Sequence, residues 1–293
     1  MPYGDLIAFP VISGTERLSF ESKRKIDHYD RLIPLMGLPP AKWEIIGQMV
    51  VFPKGSHAGD EDYDWAKIAE VFGCEKVGIQ AEINSGDLRK PQLKLIHGAD
   101  GWVSHRENFV TYEFDATKVM FSSGNITERR RMGQLDCESE IIIDAYCGIG
   151  YYSIPFLARG NPAHVHACEQ NPDSIEALQK GLKRNNIAEK CTIHRGDNQL
   201  SLPRLQGIAD RVILGLIPSS EATWNLAVDC LKPEGGIIHV HMNVDERKLD
   251  EWMAQTIDVF SRLSGKNATA IHLEKVKWYC PHIRHVVLDI QIE

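Results

Sequence analysis

The chain has 293 residues, 43% of them hydrophobic and 25% charged, and carries a net charge of -7. That length suits one large domain or two smaller ones with ample core, and no apolar run reaches the roughly 18 residues that a membrane span needs. The first residues show no basic end leading into a long apolar core, so they do not read as a secretory signal, and a cytoplasmic protein is expected. Seven cysteines without a CxxC pair argue against a disulfide framework and a zinc cluster, and no metal is expected.

Residues 1–118 mix short strand-like runs with Pro and Gly breaks. Strands are predicted at 47–53, 76–83, 91–98, 101–107 and 110–116 from β-branched content and alternation. A helix is predicted over 62–73, with Trp65, Ile68, Ala69 and Phe72 at helical spacing and Gly73 as its stop. This front part reads as a small α+β domain, followed by a second domain over 119–293. Basic residues gather at "SKRK" (22–25), "LRKPQLK" (88–94) and "ERRR" (128–131), which suggests a positive front half despite the net negative charge. In "FSSGNITERRRMGQL" (121–135), Asn125 precedes Glu128 by three, a helix-start signal. Arg129, Arg130 and Arg131 then fall in the first turns, against the helix dipole, so they are either solvated or meeting an anion.

From 141 onward strands and helices alternate. Strands are predicted at 141–146, 164–169, 191–197, 211–216 and 236–242, and helices at 151–159, 172–186, 220–231 and 246–264. The last two strand runs, 269–279 and 283–292, are parted by three residues, so they must pair as an antiparallel hairpin. The expected fold is α/β, a Rossmann-like sheet with an antiparallel C-terminal hairpin. That is the arrangement of the S-adenosylmethionine-dependent transferases.

In such sheets a ligand sits beyond the carboxyl ends of the strands. The first strand ends in "DAYCGIGYYS", where Gly148 and Gly150 let the backbone come close to it. Two tyrosines crowd the helix start that a dinucleotide pyrophosphate would need. The second strand ends in Glu169, placed to accept from ribose hydroxyls, and the third in Asp197 and Asn198, able to read an adenine amino edge. Asp144, at the end of the first strand, either orients the turn or faces an ammonium group. Three acids on one rim suit a cationic sulfonium nucleoside better than a phosphorylated one, and S-adenosyl-L-methionine is the favoured ligand. Its carboxylate is a candidate anion for Arg129 to Arg131.

After the fourth strand the chain reads Gly215-Leu216-Ile217-Pro218-Ser219-Ser220-Glu221. There is no Asn or Asp beside Pro218 to hold an attacking base nitrogen, and Ser219 stands where a nucleophilic cysteine would be. His239 and His241 alternate on a strand and read as core or rim residues. No catalytic acid or base is assigned.

Together "MFSSGNITERRR", "IIIDAYCGIGYYSIPF", "VHACEQNP", "HRGDNQ", "ADRVILGLIPSSE" and "HLEKVKWYCPHIRHVVLD" resemble the wybutosine-synthesising protein 2 family. These are tRNA 3-amino-3-carboxypropyl transferases, relatives of the tRNA guanine-37 N1-methyltransferases. The resemblance runs from about residue 100 to the end. It implies transfer of the aminocarboxypropyl group to C7 of 4-demethylwyosine at position 37 of tRNA(Phe), in the anticodon region, with methylthioadenosine released. A guanine-37 N1-methyltransferase-like activity is the alternative. By motif, the cofactor contacts fall on Ser122 and Arg129, on Glu169 for ribose, and on Asp197 with Asn198 for adenine. The family often has Lys where this chain has Arg129. The less similar front domain fits a variable tRNA-contacting part.

Overall fold

In the computed structural model, the residues described are 2–3, 6–7, 27–56, 63–80 and 93–293. The cluster at 22–25 and most of that at 88–94, Lys90 included, lie outside them. The described front part opens with α1 (His28–Met36), capped reciprocally by Asp27 and Asp30. β1 (Glu44–Ile46) pairs antiparallel with β2 (Met49–Phe52). α2 (Trp65–Val71) carries the chain over to β3 (Lys76–Gln80), parallel to β2, and β4 (Leu93–His97) closes the sheet antiparallel. Leu32, Phe52, Ile68 and Val77 are the centre of a small core there. Neither α1 nor β1 was expected from the sequence.

β5 (Trp102–Glu107) and β6 (Val110–Asp115) form a separate hairpin. Then follow α3 (Ile126–Met132), β7 (Ile141–Asp144), β8 (His164–Glu169), α4 (Pro172–Arg184), β9 (Cys191–Arg195) and β10 (Arg211–Leu214). The chain ends with α5 (Trp224–Cys230), β11 (Gly236–Asp245), α6 (Leu249–Ser264), β12 (Ala268–Cys280) and β13 (Ile283–Ile292). The seven rear strands make one sheet in the order β9-β8-β7-β10-β11-β13-β12. β7 to β11 are parallel, and β13 lies antiparallel between β11 and β12, as the short connection requires. β10 is buried along its whole length, which fits a central strand covered on both faces.

The helix expected over 151–159 is shorter. Gly150 and Tyr151 stay in the turn, a helix of three residues (Ser153–Pro155) runs into a wider π-type turn, and Asn161 ends it at a left-handed φ of +53°.

The β5–β6 hairpin packs on the rear sheet's own helix. The Asn185 side chain, one residue past α4, bonds the Thr111 N–H at 2.9 Å and its carbonyl at 2.7 Å. Fully buried Tyr112 donates to the Tyr151 carbonyl at 3.0 Å. One apolar core runs from Met49 and Val103 through Phe114, Met132 and Phe156 to Val287. Among the described residues no helix is long and apolar enough to cross a membrane.

A chain of buried charges ties α3 to the sheet. Arg131 holds Glu128 on its own helix and Asp289 on β13 at 2.7 Å. Asp289 also meets His239 of β11 at 2.6 Å, and His239 meets Arg211, which pairs with Glu140. Burial opposes ionisation of Asp289, but His239 and Arg131 outweigh it and hold its carboxyl below the usual range. Asp289→Asn removes one of the two carboxylates that Arg131 holds and weakens the bond to His239. It should cost about 1.5 to 3 kcal/mol, the range for hydrogen bonds to charged groups, read as a lower urea midpoint with an unchanged slope.

Candidate functional site

The strand order reverses beside β7, with β8 on one side and β10 on the other, so a crevice must open beyond their carboxyl ends. A cavity of about 580 Å³ lies there, within the range of small-molecule sites. Gly148, Glu169, Asp197, Asn198, Ser122 and Arg129 all line it. Asp144 does not.

The turn is set by its glycines. Gly148 has φ +55° and Gly150 has φ +90°, and a Cβ on Gly150 would meet Leu178 and Ile154 at under 3 Å. With the backbone so bent, the Gly148 N–H reaches Glu169 at 2.9 Å. Glu169 accepts two more N–H groups, from Gln170 at 2.9 Å and Asn171 at 2.7 Å. Burial still lifts its pKa above the ordinary value against those three bonds. The carboxylate is therefore fixed in position where it borders the cavity, which suits a diol. Asp197 accepts from the Gln199 N–H at 2.9 Å, and the Asn198 amide donates to the Ala145 carbonyl at 2.9 Å. Both side chains are thus steadied where they border the cavity.

Asp144 serves the turn. It is fully buried and accepts from the Ser153 hydroxyl at 2.7 Å and the Tyr146 N–H at 3.4 Å. The second option read from the sequence, an ammonium partner in the cavity, does not match that placement.

Arg129 needs a larger correction. α3 ends at Met132, so Arg129, Arg130 and Arg131 occupy its last turn, where the dipole favours cations. The anion that Arg129 meets is Glu107 of β5, gripped through Nε and through Nη2 at 2.9 Å. Its Nη1 donates to the Ser122 carbonyl at 2.9 Å, and the guanidinium lies 4.6 Å from the Phe121 ring centre. At 1% exposure, with three of its five N–H donors committed, it is a buried strut in the cavity wall. Asn125 makes no side-chain cap, and the Glu128 side chain that could have bonded back to it turns to Arg131.

The cation that faces the cavity is Lys277 of β12, which the sequence reading did not single out. Its Nζ donates to the Ser122 hydroxyl at 2.5 Å, and among the described residues no carboxylate lies within ion-pair distance. Burial first, then the nearby Arg129 charge, lowers its pKa. A lysine on an edge strand reads as protection against edge pairing, so no pattern marked it. Gly215, Leu216 and Ile217 form the wall after β10. Ser219 accepts from the Glu221 N–H at 3.2 Å, as a turn residue would. His285 also borders the cavity, but burial and Lys277 push its pKa down to about 3, so it is neutral. His239 and His241 are fully buried.

A family-level pattern described as the TRM5/TYW2 methyltransferase domain matches residues 103–269. A rice protein (Oryza sativa subsp. japonica) named tRNA wybutosine-synthesizing protein 2/3/4 is 41% identical over 277 residues. That match covers 89% of this chain and only 26% of the rice protein. The M. jannaschii TYW2 structure in complex with AdoMet superposes with a TM-score of 0.70 at 26% identity, covering 86% of this chain and 99% of that one. The P. horikoshii TYW2 structure in complex with MeSAdo gives a TM-score of 0.73 at 27% identity, covering 90% and 94%.

Burial raises the Asp144 pKa from 3.8 to about 6, with the Glu169 charge adding to it and the Ser153 and Tyr146 bonds opposing. Below pH ~4 the group is neutral in both folded and unfolded chains, and its effect on stability is nil. As pH rises from ~4 to ~6 the unfolded chain ionises first, so the fold loses stability there by up to about 3 kcal/mol. Asp144→Asn should remove that loss. Urea melts across this window should show the variant gaining on wild type as pH rises.

Proposed function

The chain belongs to the TRM5/TYW2 family, and we propose that it is an S-adenosylmethionine-dependent tRNA 3-amino-3-carboxypropyltransferase. Its substrate in this reading is 4-demethylwyosine at position 37 of tRNA(Phe), modified at C7 during wybutosine synthesis, with methylthioadenosine as the by-product. The observation that carries the proposal is the polarity of one cavity. An acceptor held by three N–H groups, Glu169, stands in the same space as a cation without a carboxylate partner, Lys277. Adenosyl and amino-acid ends of the cofactor call for that pair.

The residues fit the group. Glu169 takes the ribose hydroxyls, Asp197 and Asn198 border the adenine, and Lys277 with Ser122 meets the carboxylate. When bound, the sulfonium supplies three activated carbons, of which one is attacked by a nucleophile held in line. The protein's part is to aim the arm and exclude water. The wall of Gly215, Leu216 and Ile217 offers no side-chain acceptor for an attacking amine, which suits a ring carbon as nucleophile. The same absence weighs against guanine N1 methylation.

Residues 1–118 are proposed to contact the tRNA, with 119–293 binding the cofactor, and the protein is placed in the cytoplasm.

Cofactor labelled in either the methyl or the carboxyl carbon, given with tRNA(Phe) bearing 4-demethylwyosine, decides the reaction. The carboxyl label should enter the tRNA; methyl label alone in the tRNA overturns the proposal. Calorimetry tests the two ends of the cavity. Glu169→Ala should weaken S-adenosylmethionine and methylthioadenosine alike, by about 1 to 3 kcal/mol. Lys277→Ala should weaken S-adenosylmethionine and spare methylthioadenosine, which has no carboxylate. Equal losses for both ligands would remove Lys277 from that role.

A further inference from the structure

The Arg129–Glu107 pair divides two concavities, for Arg129 lines the cofactor cavity and Glu107 lines a second one of about 540 Å³. The second is bordered by Arg106 at the end of β5, Arg130 of α3 and Arg159 of the turn after Ser153–Pro155. All three arginines are exposed, and among the described residues none has a carboxylate within ion-pair distance. Glu107, the one acid on this border, is committed to Arg129. Three unneutralised guanidinium groups from three elements repel one another across a shared hollow. The charge is complete only with an anion in place, and guanidinium favours the bidentate geometry of phosphate.

The turn beside them carries a second signal. Asn108 (φ +47°) and Phe109 (φ +69°) join β5 to β6 in a two-residue turn. Such turns take Asn readily at the first place and Gly at the second, and a bulky residue at positive φ is a true outlier. Phe109 is also 79% exposed, its ring 4.8 Å from the Arg159 guanidinium. Asn108 pins the turn by donating to the Ile126 carbonyl at 3.0 Å. A residue that is strained and badly hydrated at once points to a use outside the fold. An exposed ring among arginines is a platform for an unpaired base.

We propose that this hollow binds RNA beside the nucleotide being modified, with Arg106, Arg130 and Arg159 on phosphates and Phe109 stacked on a loop base. The proposal rests on the tRNA reading above and names the surface that grips the strand. An acidic protein segment would meet the arginines but leave the ring without a partner.

The test uses the full chain and an unmodified tRNA(Phe) transcript, with Kd measured over a salt series. Changing Arg106, Arg130 and Arg159 together to Gln should flatten the log Kd–log salt slope by about 2 to 3, near 0.7 to 0.9 for each lost phosphate contact. Phe109→Gly should weaken binding about fivefold or more, the low end for one stacked base, with Tm unchanged or higher because the turn strain is relieved. A wild-type slope and Kd in the triple variant overturn the proposal, as does a Phe109→Gly protein with lower Tm and unaltered Kd. A polyglutamate peptide that displaces the transcript at matched charge, equally well with Phe109 or Gly, reassigns the hollow to acidic segments. If wild type binds the transcript but the triple variant keeps its slope, this surface alone falls. If the triple variant loses the transcript while the labelling experiment puts no carboxyl carbon into tRNA, the surface stands and the transferase reading falls.

Discussion

Across the switch point of the rear sheet, the Gly148 N–H in the turn after β7 meets the Glu169 carboxylate at the end of β8. Two features of the fold must hold for that bond to exist. β7 and β8 must run parallel in register, Asp144 opposite Ala167, so that Glu169 stands two residues beyond the end of β7, alongside the turn. The residue after Cys147 must also take φ +55°, which a side chain would resist. The bond in turn fixes the mouth of the cavity, because Glu169 then cannot swing toward solvent. Beneath it, Asp144 and Ser153 hold the same turn from inside. A carboxylate above and another below brace one loop. Mutual repulsion is part of what raises the Asp144 pKa, and the loop tolerates it because the lower acid ionises late.

The opposite wall is built by a different device. α3 has seven residues and no side-chain cap, too little to be stable alone. It is held by two ion pairs, from buried Arg129 to Glu107 on the hairpin and from half-buried Arg131 to Asp289 on β13. Ser122, just ahead of α3, is placed by this arrangement through the Arg129 bond to its carbonyl. So the arginine that the motif marks as a ligand contact also positions the serine beside it at the cavity. The hairpin, through Glu107, thereby belongs to the architecture of the site even though it precedes residue 118.

The rear sheet was legible because its strands are apolar runs closed by turn residues, and because a three-residue connection permits only one pairing of the final strands. Of the site, the rim was legible for the same reason: strand ends can be read from the sequence, so Gly148, Glu169, Asp197 and Asn198 could be placed there. The front was harder to read. α1 contains Pro34 and only two buried positions, Leu32 and Met36, while β1 has three residues, so neither shows a period long enough to recognise. The expectation of a clash with the dipole at Arg129 to Arg131 failed on helix length. The start signal at Asn125 placed them in the first turns of a longer helix, but the helix stops at Met132, so they form its last turn. Burial of a charge by a partner 22 residues away has no local signature.

Lys277 shows how a sheet edge can be turned to a specific purpose. In regular pairing with β13, each step along β12 would alternate faces, so Lys275 and Lys277 would share one. The pairing slips instead between Lys275 and Lys277, and again between Trp278 and Cys280, leaving Val276 and Tyr279 as extra residues. Each inserted residue resets which face the next side chain takes and bends the strand. Lys277 stands between two such bulges, half-buried against Ser122, while Lys275 two residues earlier stays exposed enough to pair with Glu246 on the surface. Desolvating an ammonium beside the Arg129 charge is unfavourable, and the more distant Glu44 charge offsets it only in part. A plain solvated lysine would avoid that cost, so the bulges are best understood as the means of keeping one cation at the cavity's far end, opposite in sign to Glu169.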